Sequence, residues 1–182
     1  MLLALAACSS APPPPDWQAN AAGSLHVFQE RYLAGDGKAA DDAFAFARSE
    51  LAATGRADLV ARAELIRCAA QVASLVFEPC VGFEALRPDA GADERSYADY
   101  LEGRVPRGVS NEPFSQLVAY GVQMRTASIT PQAIAAAVDI SSAQGWRRPL
   151  LAWLGVQLKR AQAAGDSETA ARLKRRMELV SG

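Results

Sequence analysis

From Asp16 onward, apolar residues recur three and four positions apart, and no stretch alternates apolar with polar. That period belongs to helices with one buried face, and it constrains the fold more than any other feature of the chain. The clearest stripe runs over residues 57–77, where Leu59, Ala63, Ile66, Ala70, Ala73 and Phe77 share a face. A first helix is expected over 16–34, with Asp16 as its cap and Leu25, Phe28 and Tyr32 on its stripe. A second is expected over 38–53, with Ala40, Ala43, Phe44, Ala47 and Leu51. Between Glu78 and Ser110 the pattern weakens under Pro79, Pro88 and Pro106, leaving one short helix over 93–102 with Tyr97, Tyr100 and Leu101. Asn111, with Pro113 in the first turn, caps a helix to about 127, and Thr130-Pro131 opens another to about 144. The last two helices span 146–164 and 167–180. Thirty-eight alanines favour helix and let helices approach closely. The expected fold is all-α: antiparallel helical hairpins or an irregular bundle, one domain over 16–182.

Leu5-Ala6-Ala7-Cys8 resembles the lipobox of bacterial lipoproteins. The resemblance implies cleavage before Cys8 and lipid on its thiol, with several acyl chains giving a firm membrane anchor. The seven residues before Cys8 hold no Lys or Arg and are fewer than a signal peptide needs, so residues 1–7 are expected to be an incomplete leader. Residues 8–15 then form a tether, stiffened by the run Pro12-Pro13-Pro14-Pro15. Ser9 after the cysteine, where Asp would signal inner-membrane retention, implies the outer membrane and its periplasmic face.

Cys68 and Cys80 remain. An oxidising periplasm would allow them to pair. A helix unbroken to residue 77 would carry the chain roughly 14 Å past Cys68, while three further residues return only about 10 Å. An earlier helix end would bring them together; otherwise they serve as two small buried residues. With one histidine in the chain, His26, a cysteine-based metal set is incomplete, and no metal or cofactor is expected.

Gly35-Asp36-Gly37-Lys38-Ala39-Ala40 and Gly165-Asp166-Ser167-Glu168-Thr169-Ala170 match each other, each between two helices. They resemble the turn and second helix of a tetratricopeptide repeat, in which a Gly-Asp turn joins antiparallel helices and a small residue five places on lets them approach. Ala40 and Ala170 hold that place; Phe44 and Ala47 match the next packing positions. Phe28, Leu158 and Lys174 depart from the repeat, and no 34-residue period runs through the middle. The layout is also similar to uncharacterised proteobacterial lipoproteins.

Charge and motifs exclude several functions. Nineteen basic and twenty acidic residues give a net charge of −1, so nucleic acid is not an expected partner. Asp41-Asp42 and Asp93-Glu94 are adjacent pairs, about 100° apart on a helix, and make no acid–base couple. Gly35-Asp36-Gly37 lacks the Lys-Ser or Lys-Thr of a phosphate loop. His26 lies beside an apolar stripe with no nucleophile set. Residues 144–182, by contrast, hold eight basic residues against Asp166, Glu168 and Glu178. Arg172, Arg175 and Arg176, with Tyr97 and Tyr100 near the irregular middle, where they could line a groove between hairpins, are the candidate interaction surface. The expectation is a protein–protein interaction or assembly module of the cell envelope, since lipoproteins resembling tetratricopeptide repeats assist pilus, secretin and outer-membrane-protein assembly. The alternative is an envelope enzyme or small-molecule binder, acting on peptidoglycan or a similar ligand through Glu78, Asp93 or Glu102.

Overall fold

The computed structural model describes residues 15–182; the lipobox-like Leu5-Ala6-Ala7-Cys8 and all but the last residue of the expected 8–15 tether lie outside the described residues. Among the described residues the chain is all-α. Its helices are α1 (Asp16–Ala34), α2 (Gly37–Ala52), α3 (Ala57–Ala73), α4 (Val81–Glu84), α5 (Ala92–Leu101), α6 (Pro113–Arg125), α7 (Pro131–Ala143), α8 (Arg147–Ala163) and α9 (Ser167–Ser181), with a 3-10 turn at Arg87–Asp89. The architecture is a set of antiparallel hairpins around α3.

Central α3 is buried on two sides. Val60, Ala63 and Ala70 face α1 and α2, joining Phe28, Phe44 and Leu51 in one core. Ala61, Leu65, Ala69 and Val72 face the other way, into a larger core with residues of α5 to α9. A helix enclosed from both sides needs apolar residues around most of its circumference, and small ones where neighbours come close.

The Gly-Asp turns fold alike. Gly35 and Gly165 hold φ of 90° and 72°, left-handed values that cost glycine little. Each following aspartate caps the next helix, Asp36 accepting from the Ala39 amide at 3.2 Å and Asp166 from the Thr169 amide at 2.9 Å. Ala40 and Ala170 are both buried in the resulting hairpins.

Several ends differ from the periodic reading. Helix α3 stops at Ala73 instead of continuing to 77. Leu75 takes a left-handed φ of 60°, the Leu75 amide donates to the Val72 carbonyl, and Val76 donates to Gln71. This is a Schellman end built without glycine. Ala127 ends α6 the same way, with φ of 54° and Ser128 bonded back to Gln123. The cap of α6 is Glu112 and not Asn111: its carboxylate accepts from the Phe114 and Ser115 amides at 2.8 and 2.7 Å. Pro15 precedes α1, so Asp16 is the first helical residue rather than the cap. The short α4 and the 3-10 turn were not expected in the irregular middle.

Long-range contacts lock the layers. Trp153 of α8 is fully buried and its indole Nε1 donates to the Ala73 carbonyl at 3.2 Å. Gly121 lets α6 cross α3 closely: a Cβ there would lie 2.8 Å from the Val72 carbonyl carbon and nearer still to its oxygen. Arg147 and Arg148, opening α8, donate to the carbonyls of Ala34 and Tyr32 at 3.2 and 2.7 Å, and the Arg148 guanidinium stacks over the Tyr32 ring. Two cations thus meet the negative end of the α1 dipole.

Candidate functional site

The expected surface residues separate in space. Tyr100 is 7% exposed and belongs to the larger core, with Tyr97 half-buried beside it at a ring distance of 5.8 Å. Both line a hollow of about 280 Å³ under the 107–110 strap, where Arg107 stacks on Tyr97. Burial pushes the Tyr97 hydroxyl up to about 12 and raises that of Tyr100. Arg172 and Arg176 line a different hollow, and Arg175 is exposed outside either lining. The tyrosines and the basic cluster are therefore not one surface.

The hollow with Arg172 and Arg176 holds about 570 Å³ between α7, α8 and α9. Its construction follows from local signals. Thr130 caps α7 by accepting from the Ala133 amide at 3.1 Å, which sets Ile134 toward α8. Gly165 turns the chain, Asp166 caps α9, and the stripe Ala170, Leu173, Met177, Val180 packs α9 against the core. The Thr169 backbone amide holds the Asp166 carboxyl below its ordinary range. Ile134, Ala161 and Leu173 make an apolar floor, Ile134 being 2% and Leu173 7% exposed. Arg160, Arg172 and Arg176 stand around it. At one end the Arg176 guanidinium donates to the Ser142 hydroxyl of α7 at 3.3 Å, and along the rim Arg172 donates to Thr169 at 3.3 Å. Among the described residues none of these three guanidiniums forms an ion pair with a carboxylate, whereas Arg48, Arg56, Arg62, Arg67, Arg87 and Arg104 all do.

The other candidate groups are placed as follows. Cys68 and Cys80 form a disulfide, with Cα atoms 5.9 Å apart. The early end of α3 is what returns residue 80 to residue 68. Glu78 and Glu102 line a void of about 10 Å³ beside this bond, with Arg125. Arg125 spans from there to the Leu101 and Phe77 carbonyls at 3.2 and 3.3 Å, and Glu102 pairs with Arg104. A void that size admits about one water, far below the roughly 300 Å³ of a small-ligand pocket. Asp93 is exposed in the first turn of α5, away from the other two. His26 is exposed, 3.3 Å from Glu30. Asp42 pairs with Lys38 and Glu94 with Arg62. Among the described residues no group of three His, Cys, Asp or Glu side chains is placed to hold a metal ion, and no helix is long and apolar enough to cross a membrane.

One buried charge escaped the sequence reading. Glu64 on α3 is 2% exposed, and its carboxylate lies between Arg48, at 3.0 Å, and Arg67, at 2.5 Å. Gly82 of α4 packs directly on that carboxylate, leaving no room for a side chain. Helical periodicity places Glu64 near the apolar stripe, and its spacing of three from Arg67 is a local signal of an ion pair, but its burial and the contact with Arg48 of α2 come only from tertiary packing. Ile134 and Pro131 likewise join the basic hollow only through tertiary packing. No family model, curated protein or solved structure matches the chain.

Proposed function

We propose that the chain is a protein-interaction module of the bacterial envelope, held at the periplasmic face of the outer membrane by lipid on Cys8. The observation that carries this reading is the hollow between α7, α8 and α9, with a recessed apolar floor and three guanidiniums, none of which forms an ion pair with a carboxylate among the described residues. Interfaces use such combinations, an apolar anchor site rimmed by charge that selects the partner. The Cys68–Cys80 disulfide suits an oxidising compartment, as the lipobox-like Leu5-Ala6-Ala7-Cys8 requires. The run Pro12-Pro13-Pro14-Pro15 between Cys8 and the domain has the composition of a spacer from a bilayer. The enzyme reading draws less support, because Glu78 and Glu102 surround a void too small for a substrate and Asp93 stands apart.

Two measurements test the proposal. Metabolic labelling with a palmitate analogue should mark the chain and be lost in Cys8→Ala; an unlabelled chain refutes the anchor. Crosslinking in intact cells at near-native levels should capture a protein partner; none on repeated trial refutes the module.

A further inference from the structure

We infer that the α7–α8–α9 hollow docks an acidic amphipathic segment of the partner protein, with apolar side chains on the floor and carboxylates on Arg160, Arg172 and Arg176. The inference rests on the interaction-module reading and names what the module takes. Charge is the first ground. Residues 144–182 carry a net +5, while the preceding 143 residues, with eleven basic and seventeen acidic, carry −6. At the hollow Arg172 and Arg176 reach the hydroxyls of Thr169 and Ser142, and Asp166 is the single carboxylate in a lining that holds three guanidiniums. Shape is the second ground. Arg172 and Arg176 lie one turn apart on α9, about 6 Å along its axis, and Arg160 faces them from α8. Carboxylates one turn apart on a docking helix match that spacing. A volume of about 570 Å³ takes anchoring side chains, not a whole helix, so the segment lies across the mouth.

The same geometry argues against an anionic bilayer. A bilayer surface would touch the rim guanidiniums but not Ile134 and Leu173, which are recessed beneath it.

The test uses the full chain and a synthetic helical peptide bearing a leucine stripe flanked by glutamates one turn apart. Binding is followed by fluorescence anisotropy against rising salt. The expected result is salt-sensitive binding, weakened about tenfold or more in the Arg160→Gln/Arg172→Gln/Arg176→Gln variant. Ala164→Trp, which fills the exposed rim without changing charge, should weaken it as well, while Arg175→Gln should not. Circular dichroism checks that each variant keeps its helices. Absence of peptide binding, equal binding by the triple variant or by Ala164→Trp, or arginine-dependent binding to phosphatidylglycerol vesicles in place of the peptide each overturns the assignment. A photocrosslinker at Ala164 and another at exposed Phe46 on α2 separate the two readings in cells. Capture from Phe46 alone removes the hollow but keeps the module; capture from neither removes both.

Discussion

Two glycines inside helices should respond oppositely to one substitution. Gly121 in α6 and Gly155 in α8 both cost helix propensity, and replacing either by Ala gains about 0.8–1.0 kcal/mol on that account alone. At Gly155 the new methyl meets no atom within 4 Å, so the gain survives and the protein is stabilised. At Gly121 the methyl runs into the Val72 backbone, 2.8 Å from the carbonyl carbon and closer to the oxygen. Backbone cannot rotate away as a side-chain tip can, so α6 must retreat from α3 at the centre of the larger core. Overpacking of this kind costs about 1–3 kcal/mol, and a backbone clash belongs at the upper end. Net of the propensity gain, Gly121→Ala should lose about 2 kcal/mol. For a chain of this size that lowers the melting midpoint by roughly 4–8 °C. Gly155→Ala should raise it by about 2–4 °C. Urea unfolding of both variants and the parent measures the two signs directly. If Gly121→Ala matched Gly155→Ala, the close crossing of α3 and α6 would be wrong.

Other expectations follow from buried groups. Glu64→Gln keeps the shape but leaves Arg48 and Arg67 without a counter-charge; one-sided breakage of a buried pair costs about 3–5 kcal/mol, and because these guanidiniums are 47% and 34% exposed, solvent screening brings the expected loss to about 2 kcal/mol. An unchanged urea midpoint would contradict the buried position of Glu64. Reducing the Cys68–Cys80 bond, which spans 12 residues, should cost about 2–3 kcal/mol through the freed unfolded chain, read as a shift in midpoint between oxidised and reduced protein. Tyr97 has an ordinary value of 10.0 and is pushed up to about 12 by burial. Its folded value is the higher, so its contribution is fully present below pH 10 and is lost as pH rises through about 12. Alkaline titration of stability alongside phenolate absorbance should show this loss in the parent and less of it in Tyr97→Phe.

The two Gly-Asp turns were legible because everything that makes them is local: a glycine for the left-handed position, an aspartate for the cap, an alanine for close approach five residues on. Helix α3 was legible as a helix and illegible at its end. Leu75 and Ala127 take left-handed conformations that sequence assigns to glycine, and the Trp153 indole on the Ala73 carbonyl comes from 80 residues away. That early end decides whether Cys68 and Cys80 can meet, so the spacing of the cysteines left the question open. The arginines stood out in the sequence by the basic excess of the last segment, and Tyr97 and Tyr100 by their place in the irregular middle. Packing put one set under the 107–110 strap and the other on a separate hollow.

Periodicity and composition alone determined that this chain builds helices, where most of them lie, and that its net positive charge is confined to residues 144–182. They act through neighbours three and four apart, which any helix brings together. Which basic residues face a recessed apolar floor, which carboxylate is buried, and which glycine cannot be enlarged were decided only when α3 was enclosed from two sides and α7, α8 and α9 met. Those features depend on distances between helices, and a linear pattern carries no such distance.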